Sequence, residues 1–249
     1  MKIYFHFLKK VTIQSVAICF ILICCQILRA QRNDVLPYVN PLIGTGGHGH
    51  TYPGATLPFG MVQLSPDTRL NGWDGCSGYH NSDTIVYGFS HTHLSGTGIE
   101  DYCDVLLMPT IGDIRNNNGA DGKEGYRSSF QKKNELAKPA HYRTKLDASG
   151  IEVELTASTH VGFHHYTYPK NTVAANVVID LAHRDKLLDS RLRVINEYEV
   201  EGFRLSEAWA KRQYVYFVAR FSEPIFKRDE KNNIYTFGVR LPKGKNDYT

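Results

Sequence analysis

Once its first thirty residues are set aside, the chain has little cysteine. Of five cysteines, Cys19, Cys24 and Cys25 fall in residues 1–30, leaving Cys76 and Cys103. That excludes a dense disulfide framework and leaves two readings open, one bridge in an exported protein or two buried thiols. The mature region also lacks any excess of positive charge. The whole sequence holds 29 basic and 25 acidic residues, but Lys2, Lys9, Lys10 and Arg29 lie in the leader, which has no acid. Removing these four leaves 25 against 25, so nothing suggests an electrostatic nucleic-acid partner. Internal repeats, low-complexity tracts and long helical periods are missing, apart from an ambiguous stretch at residues 184–196. There is no nucleophile elbow, phosphate-binding glycine loop or cysteine–histidine signature.

Residues 1–30 read as a secretory signal peptide. A basic start precedes the apolar run Val11 to Leu28, and the small residue Ala30 marks cleavage before Gln31. The expected location is therefore secreted or periplasmic. A membrane anchor is the competing reading of the apolar run, but no stop-transfer flank follows. A lipoprotein signal at Cys24 or Cys25 is disfavoured by Ile23, where a small residue is expected. About 219 residues remain, 31–249, enough for one large all-β domain or two small ones.

More than half of the 21 glycines lie between Val39 and Pro109, together with histidines, aromatics and carboxylates. Pro37, Pro41, Pro53, Pro58 and Pro66 break any helix there, so loops and short strands are expected. Thr84 to Ser90 and Val105 to Ile114 read as strands bracketing a histidine loop, and Asn116 to Gly125 as a polar turn. Beyond Ala140 the β pattern is steady. Tyr142 to Leu146 turns at residues 147–150 into a strand where Ile151, Val153 and Leu155 alternate with polar residues. Val161 to Tyr168, the apolar run from Val173 to Leu181, Leu192 to Val200, Gly202 to Trp209, Gln213 to Phe221 and Ile234 to Leu241 complete an antiparallel sandwich or closed barrel.

In this setting Trp73, among Asn71, Gly72, Asp74 and Gly75, is suited to stack on a sugar ring; a cap on the sandwich core is its other reading. Tyr79 and His80 could add hydrogen bonds at the sugar's edge. Trp209 reads as core. Two H-x-H pairs, His48 with His50 and His91 with His93, could each aim two imidazoles at a metal, with Glu100, Asp101 and Asp104 as oxygen donors. Hydrogen bonding to loop carbonyls is the plainer account of those histidines. Glycoside hydrolysis needs two carboxylates, and the spacing of Asp67, Asp74, Asp83, Glu100, Asp101 and Asp104 pairs no two of them.

The runs VNPLIGTG at 39–46, YPGA at 52–55, PFGMVQLSPD at 58–67, CSGYH at 76–80 and GFSHTHLSGTG at 88–98 strongly resemble the N-terminal domain of glycoside hydrolase family 92, the exo-acting α-mannosidases. GIEVELTA at 150–157, VGFH at 161–164, and Ala208-Trp209 followed by YVYF at 214–217 agree. The resemblance implies a supersandwich-like antiparallel β-sandwich over residues 31–249, packed on a C-terminal (α/α)6 barrel. It implies a calcium-dependent, inverting attack on terminal α-mannosides of glycans, with the catalytic carboxylates and most calcium ligands on the barrel. The N-terminal domain would complete the substrate pocket, and Trp73 matches a position that some members use for the leaving-group sugar. With Gly46, His80 and His93 it makes up the candidate substrate-binding set. No catalytic residue and no metal ligand carries over.

Cys103 stands where the resemblance places glycine, and the chain ends at Thr249, near where the sandwich should finish. The expectation is therefore a sandwich half, inactive alone, exposing an apolar patch for the barrel. A stand-alone carbohydrate-binding module is the alternative, and a metalloenzyme built on the H-x-H pairs is the third.

Overall fold

In the computed structural model, which describes residues 35–241 together with residues 18, 20, 247 and 248, the alternating segments become paired strands. They are, in chain order, β1 (Ala55–Thr56), β2 (Gln63–Asp67), β3 (Ile85–Val86), β4 (Gly88–Ser90), β5 (Leu106–Ile111) and β6 (Ser128–Ser129). Then come β7 (Leu136–Lys138), β8 (His141–Lys145), β9 (Glu152–Ala157), β10 (Gly162–Thr167), β11 (Ala175–Asp180) and β12 (Lys186–Asn196). The series closes with β13 (Glu199–Glu207), β14 (Gln213–Arg220), β15 (Ile225–Lys231), β16 (Ile234–Val239) and β17 (Asp247–Tyr248). All pair antiparallel. The chain divides into two units, residues 1–39 and 40–249, and every strand lies in the second. The leader expected at residues 1–30 falls outside the described residues apart from Ile18 and Phe20. Among the described residues, no helix is long and apolar enough to cross a membrane.

A seven-stranded sheet runs β1-β2-β4-β5-β11-β16-β15, and a five-stranded sheet runs β17-β10-β9-β8-β7. A separate three-stranded sheet, β12-β13-β14, and the short pair β3-β6 complete the fold. β9 shows the sandwich rule plainly: Val153, Leu155 and Ala157 point inward and their neighbours point out, as strand geometry requires. β11 and β16 are buried at every position, so both faces are covered and their apolar runs need not alternate. One face meets the 112–127 loop, where the Tyr126 hydroxyl donates to Asp180 at 2.5 Å and Thr236 donates to Asn116 at 2.8 Å. The other contributes Val177, Ile179 and Phe237 to a core shared with Leu64, Phe89, Tyr142 and Leu155. Each such fully buried side chain stabilises the fold by about 1.5–3 kcal/mol.

The structure settles or corrects three points. Residues 184–196, ambiguous in the sequence, are largely strand; β12 carries register shifts at Leu187/Asp189 and Val194/Asn196 that spoil its period of two. The single strand expected over Leu192 to Val200 is a hairpin, with β12 ending at Asn196 and β13 beginning at Glu199. Finally β15, unforeseen, is an edge strand of sequence IFKRDEK. Charge along an edge blocks pairing with other chains, and the same charge hides the strand from a search for apolar alternation.

The largest fully buried side chain is Arg204 on β13. Its Nε donates to Leu181 O and one Nη to His183 O, each at 2.9 Å, and the guanidinium pairs with Asp104 and Asp185. A cavity of about 620 Å³ opens between β10, β14 and the inner face of β11, lined by Val177, Tyr166, Tyr168, Val215, Phe217 and the His91–His164 pair among others. His91 Nδ1–H donates to Val105 O at 2.7 Å, which leaves Nε2 as an acceptor. His164 Nε2–H meets that acceptor at 3.1 Å, and the Tyr166 hydroxyl donates to His164 Nδ1 at 2.8 Å. Burial lowers both histidine pKa values, His91 adds to the effect on His164, and both rings stay neutral.

Two outcomes are expected. Arg204→Ala, which strands two buried carboxylates, should lose about 3–5 kcal/mol in urea unfolding; a loss below 1 kcal/mol would contradict the assignment. For the histidines, the unfolded chain takes up protons below about pH 6.5 that the folded chain refuses. Their contribution is therefore present above pH 6.5 and lost as pH falls toward their depressed folded values. The melting temperature should drop between pH 7 and 5, and His164→Gln should shrink that drop by roughly half. A drop that His164→Gln leaves unchanged would show that the pair is not buried neutral.

Candidate functional site

Three loops, residues 44–51, 69–83 and 94–103, form one end of the sandwich. Glycine makes their close approaches possible. Gly72, at φ +92°, turns the chain into the short helical turn Trp73–Gly75. A Cβ on Gly98 would run into the Trp73 indole, so the ring lies directly over that glycine. The far side of Trp73 is open, at 62% exposure. The His50 ring meets the indole edge-on, with centroids 4.9 Å apart.

Polar contacts knit the loops around this ring. His48 Nδ1 lies 2.6 Å from Asp74 Oδ1, and His50 Nε2 lies 3.6 Å from the same oxygen. The His48 hydrogen bond lowers the Asp74 pKa. Gly72 N donates to Glu100, Gly96 N to His50 O at 2.8 Å, and the Cys76 thiol to Thr97 O at 2.7 Å. His80 is half-buried; its Nε2–H donates to Gly47 O at 3.1 Å, so Nδ1 accepts from Ser82. Gly46 sits beside Asn81, whose N–H donates to Thr45 O at 2.8 Å. From downstream, Arg184 donates to Arg69 O at 2.9 Å and Gly75 O at 2.6 Å.

His93 does not share this surface. It is buried beneath the loops, with Nδ1–H donating to Gln63 O at 2.7 Å and Nε2 lying 2.8 Å from Asp67 Oδ1. Burial opposes a charge on His93, but Cys103 and Asp67 outweigh it and lift the pKa to about 10. Asp67 is likewise buried, and His93 and His183 hold its pKa well below the ordinary carboxylate range. Thus Trp73, Gly46 and His80 lie on the loop cluster, and His93 lies under it. None of the four lines the large cavity.

The H-x-H reading fails geometrically. His91 turns toward Val105 and His164, while His93 turns toward Gln63 and Asp67. His48 and His50 share only Asp74. Glu100, Asp101 and Asp104 are taken by Gly72, by Tyr102 and Trp209, and by Arg204 with Thr92. Tyr79 is buried and donates to Glu135 at 2.8 Å instead of reaching the surface. Trp209, expected in the core, is 71% exposed in the turn after β13. Cys76 and Cys103 are free, buried thiols.

His183, Arg184 and Arg204 were missed from sequence because their partners lie about a hundred positions away. Calcium takes six to eight oxygen ligands, whereas the cluster of Asp67, His93 and Cys103 includes only one oxygen-bearing side chain. It is the one cluster of potential metal donors among the described residues, and its other donors are nitrogen and sulfur.

The sequence profile of the glycosyl hydrolase family 92 N-terminal domain matches residues 38–235. A family 92 α-mannosidase from Bacteroides thetaiotaomicron, solved in complex with mannoimidazole, superposes with a TM-score of 0.77 and 32% identity over 87% of this chain. A family 92 inverting mannosidase of B. thetaiotaomicron VPI-5482 shares the fold at a TM-score of 0.71 and 22% identity over 88% of the chain. An uncharacterised secreted glycosidase of the fungus Arthroderma benhamiae is 33% identical over 157 residues, 60% of this chain. The chain spans 32% and 31% of the two solved relatives and 20% of the fungal one. Matching that profile over most of its length, this chain belongs to the glycosyl hydrolase family 92 N-terminal domain family.

Proposed function

We propose that this chain is the sugar-facing domain of an exported, calcium-dependent, inverting exo-α-mannosidase, completing the pocket that holds a terminal α-mannoside of a glycan. The exposed Trp73 indole, seated on Gly98 and braced by His50, carries this reading. An indole face suits the apolar C–H side of a pyranose, and the His48–Asp74 pair and His80 offer hydrogen bonds at its rim.

Hydrolysis with inversion needs an acid and a base carboxyl about 6.5–9.5 Å apart, with room for a water. Asp74 and Glu100, the carboxylates beside Trp73, are each engaged by donors of the loops. The resemblance to family 92 implies that the acid, the base and most calcium ligands belong to an (α/α)6 barrel, and on that reading this domain alone is inactive. Tyr214, Tyr216 and Val218 are all exposed on the outer face of β14, which supports an apolar docking face for such a barrel. The leader sequence supports export.

Calorimetric titration of α-mannobiose into the purified chain tests the proposal. Binding is expected in the millimolar range, about 4 kcal/mol. Trp73→Ala should weaken it at least tenfold, about 1.4 kcal/mol, and Gly98→Ala should also weaken it by displacing the indole. An aryl α-mannoside should not be turned over by the chain alone. Absence of binding, equal binding by Trp73→Ala, or turnover without a barrel would overturn the proposal.

A further inference from the structure

Beneath the loops, Asp67 from β2, His93 from the loop after β4 and Cys103 from the loop before β5 converge in the interior. Their donor atoms all lie within 4.8 Å of one another, and all three residues are buried. We propose that Asp67, His93 and Cys103 form a buried site for one zinc-class divalent ion, which fastens the floor of the loop cluster. This inference does not depend on the mannoside reading.

Each donor is held as a metal ligand needs to be. The backbone carbonyl of Gln63 takes the Nδ1 proton of His93, which aims Nε2 at Asp67 Oδ1 and fixes the tautomer. A carbonyl on the second ring nitrogen is the usual support for a metal-bound imidazole. Asp67 spends Oδ1 on this side, while Oδ2 lies 3.0 Å from His183 Nε2. His183 is itself buried, and its Nδ1 has no hydrogen-bond partner among the described residues. Ser90 Oγ, 3.2 Å from His93 Nε2, stands beside the three as a neutral oxygen. Gly78, at φ +86°, covers the cluster, and a Cβ there would strike Asp67, Cys103 and His93 together.

The donor set selects the ion. A thiolate with an imidazole favours zinc and its borderline neighbours over calcium or magnesium, which take oxygen. Binding displaces the Cys103 thiol proton and the His93 Nε2 proton, so two protons leave as one dication enters. The charge balance is unchanged. Without the ion, a carboxylate faces an imidazolium and a neutral thiol; with it, a dication faces a carboxylate, a thiolate and a neutral ring. Cys103 also occupies left-handed backbone at φ +61°, where a side chain is strained and glycine is at ease. Its thiol is thus placed in the cluster at a conformational cost.

Because the donors are buried, the ion enters as the chain folds. The test is to purify the full chain without chelators for elemental analysis, and to refold a second sample with cobalt(II). About one equivalent of zinc per chain is expected, with a thiolate-to-cobalt charge-transfer band in the refolded sample and a melting temperature that falls on refolding with chelator. Cys103→Gly should fold, since glycine suits that backbone, yet lose the metal, the band and the dependence on chelator. A metal-free native chain that gives no cobalt band, or a Cys103→Gly chain that keeps the metal, would overturn the proposal.

Discussion

The buried guanidinium of Arg204 is the constraint on which the loop end depends. Taking one such ion out of water costs several kcal/mol, recovered only when its donors are satisfied in good geometry. Here two carbonyls of the 181–183 segment and two carboxylates, Asp104 and Asp185, accept from it. Asp104 in turn takes the Thr92 hydroxyl at 2.7 Å and Gln213 at 2.9 Å. A single residue of the three-stranded sheet therefore fixes the chain after β11 and both ends of the histidine loop. Next to it, His183 meets Asp67 and Arg184 ties down residues 69 and 75. The Trp73 turn sits at the end of this polar scaffold.

Such an arrangement separates two kinds of histidine. Those at the surface, His48 and His80, keep partners of the loops and remain near water. Those below are committed in opposite directions by their neighbours. His93, between a carboxylate and a thiol, is driven toward its charged form. His91, buried beside an apolar cavity, is held neutral by the loss of water around it. Two residues in one H-x-H run thus end with opposite protonation because the backbone turns between them.

That contrast also marks how much the sequence discloses. Alternation at Val153 and Leu155, and the apolar run ending at Leu181, reveal strands because burial on one or both faces writes a local pattern. The glycines around Trp73 disclose tight turns, but they leave the ring open to two places, solvent or a cap on the core, and the structure puts it in solvent. His93 and His91 could not be told apart, since burial and partner choice come from β2, β10 and the loop before β5 rather than from neighbours in the chain. Arg204 looks like an ordinary outward charge on a strand until Asp104, a hundred positions away, is brought beside it. Trp209 misleads in the reverse sense, since a large aromatic normally signals core. Here its backbone N–H is held by Asp101 at 3.2 Å, and the ring remains in solvent.

The depth of these layers explains why the loop surface around Trp73 is built from glycine. A rigid polar floor leaves the loops little freedom to adjust, so the indole must be seated by the backbone itself. Gly72 supplies a turn at φ +92° and Gly98 removes the side chain that would push the ring away. An ordered aromatic loses little entropy when a ligand stacks on it, and much of the cost of binding lies in such ordering. On the proposed sugar-binding reading, flexibility is thereby spent during folding, in loops pinned by Arg184 and Asp74, and not at the moment the sugar arrives.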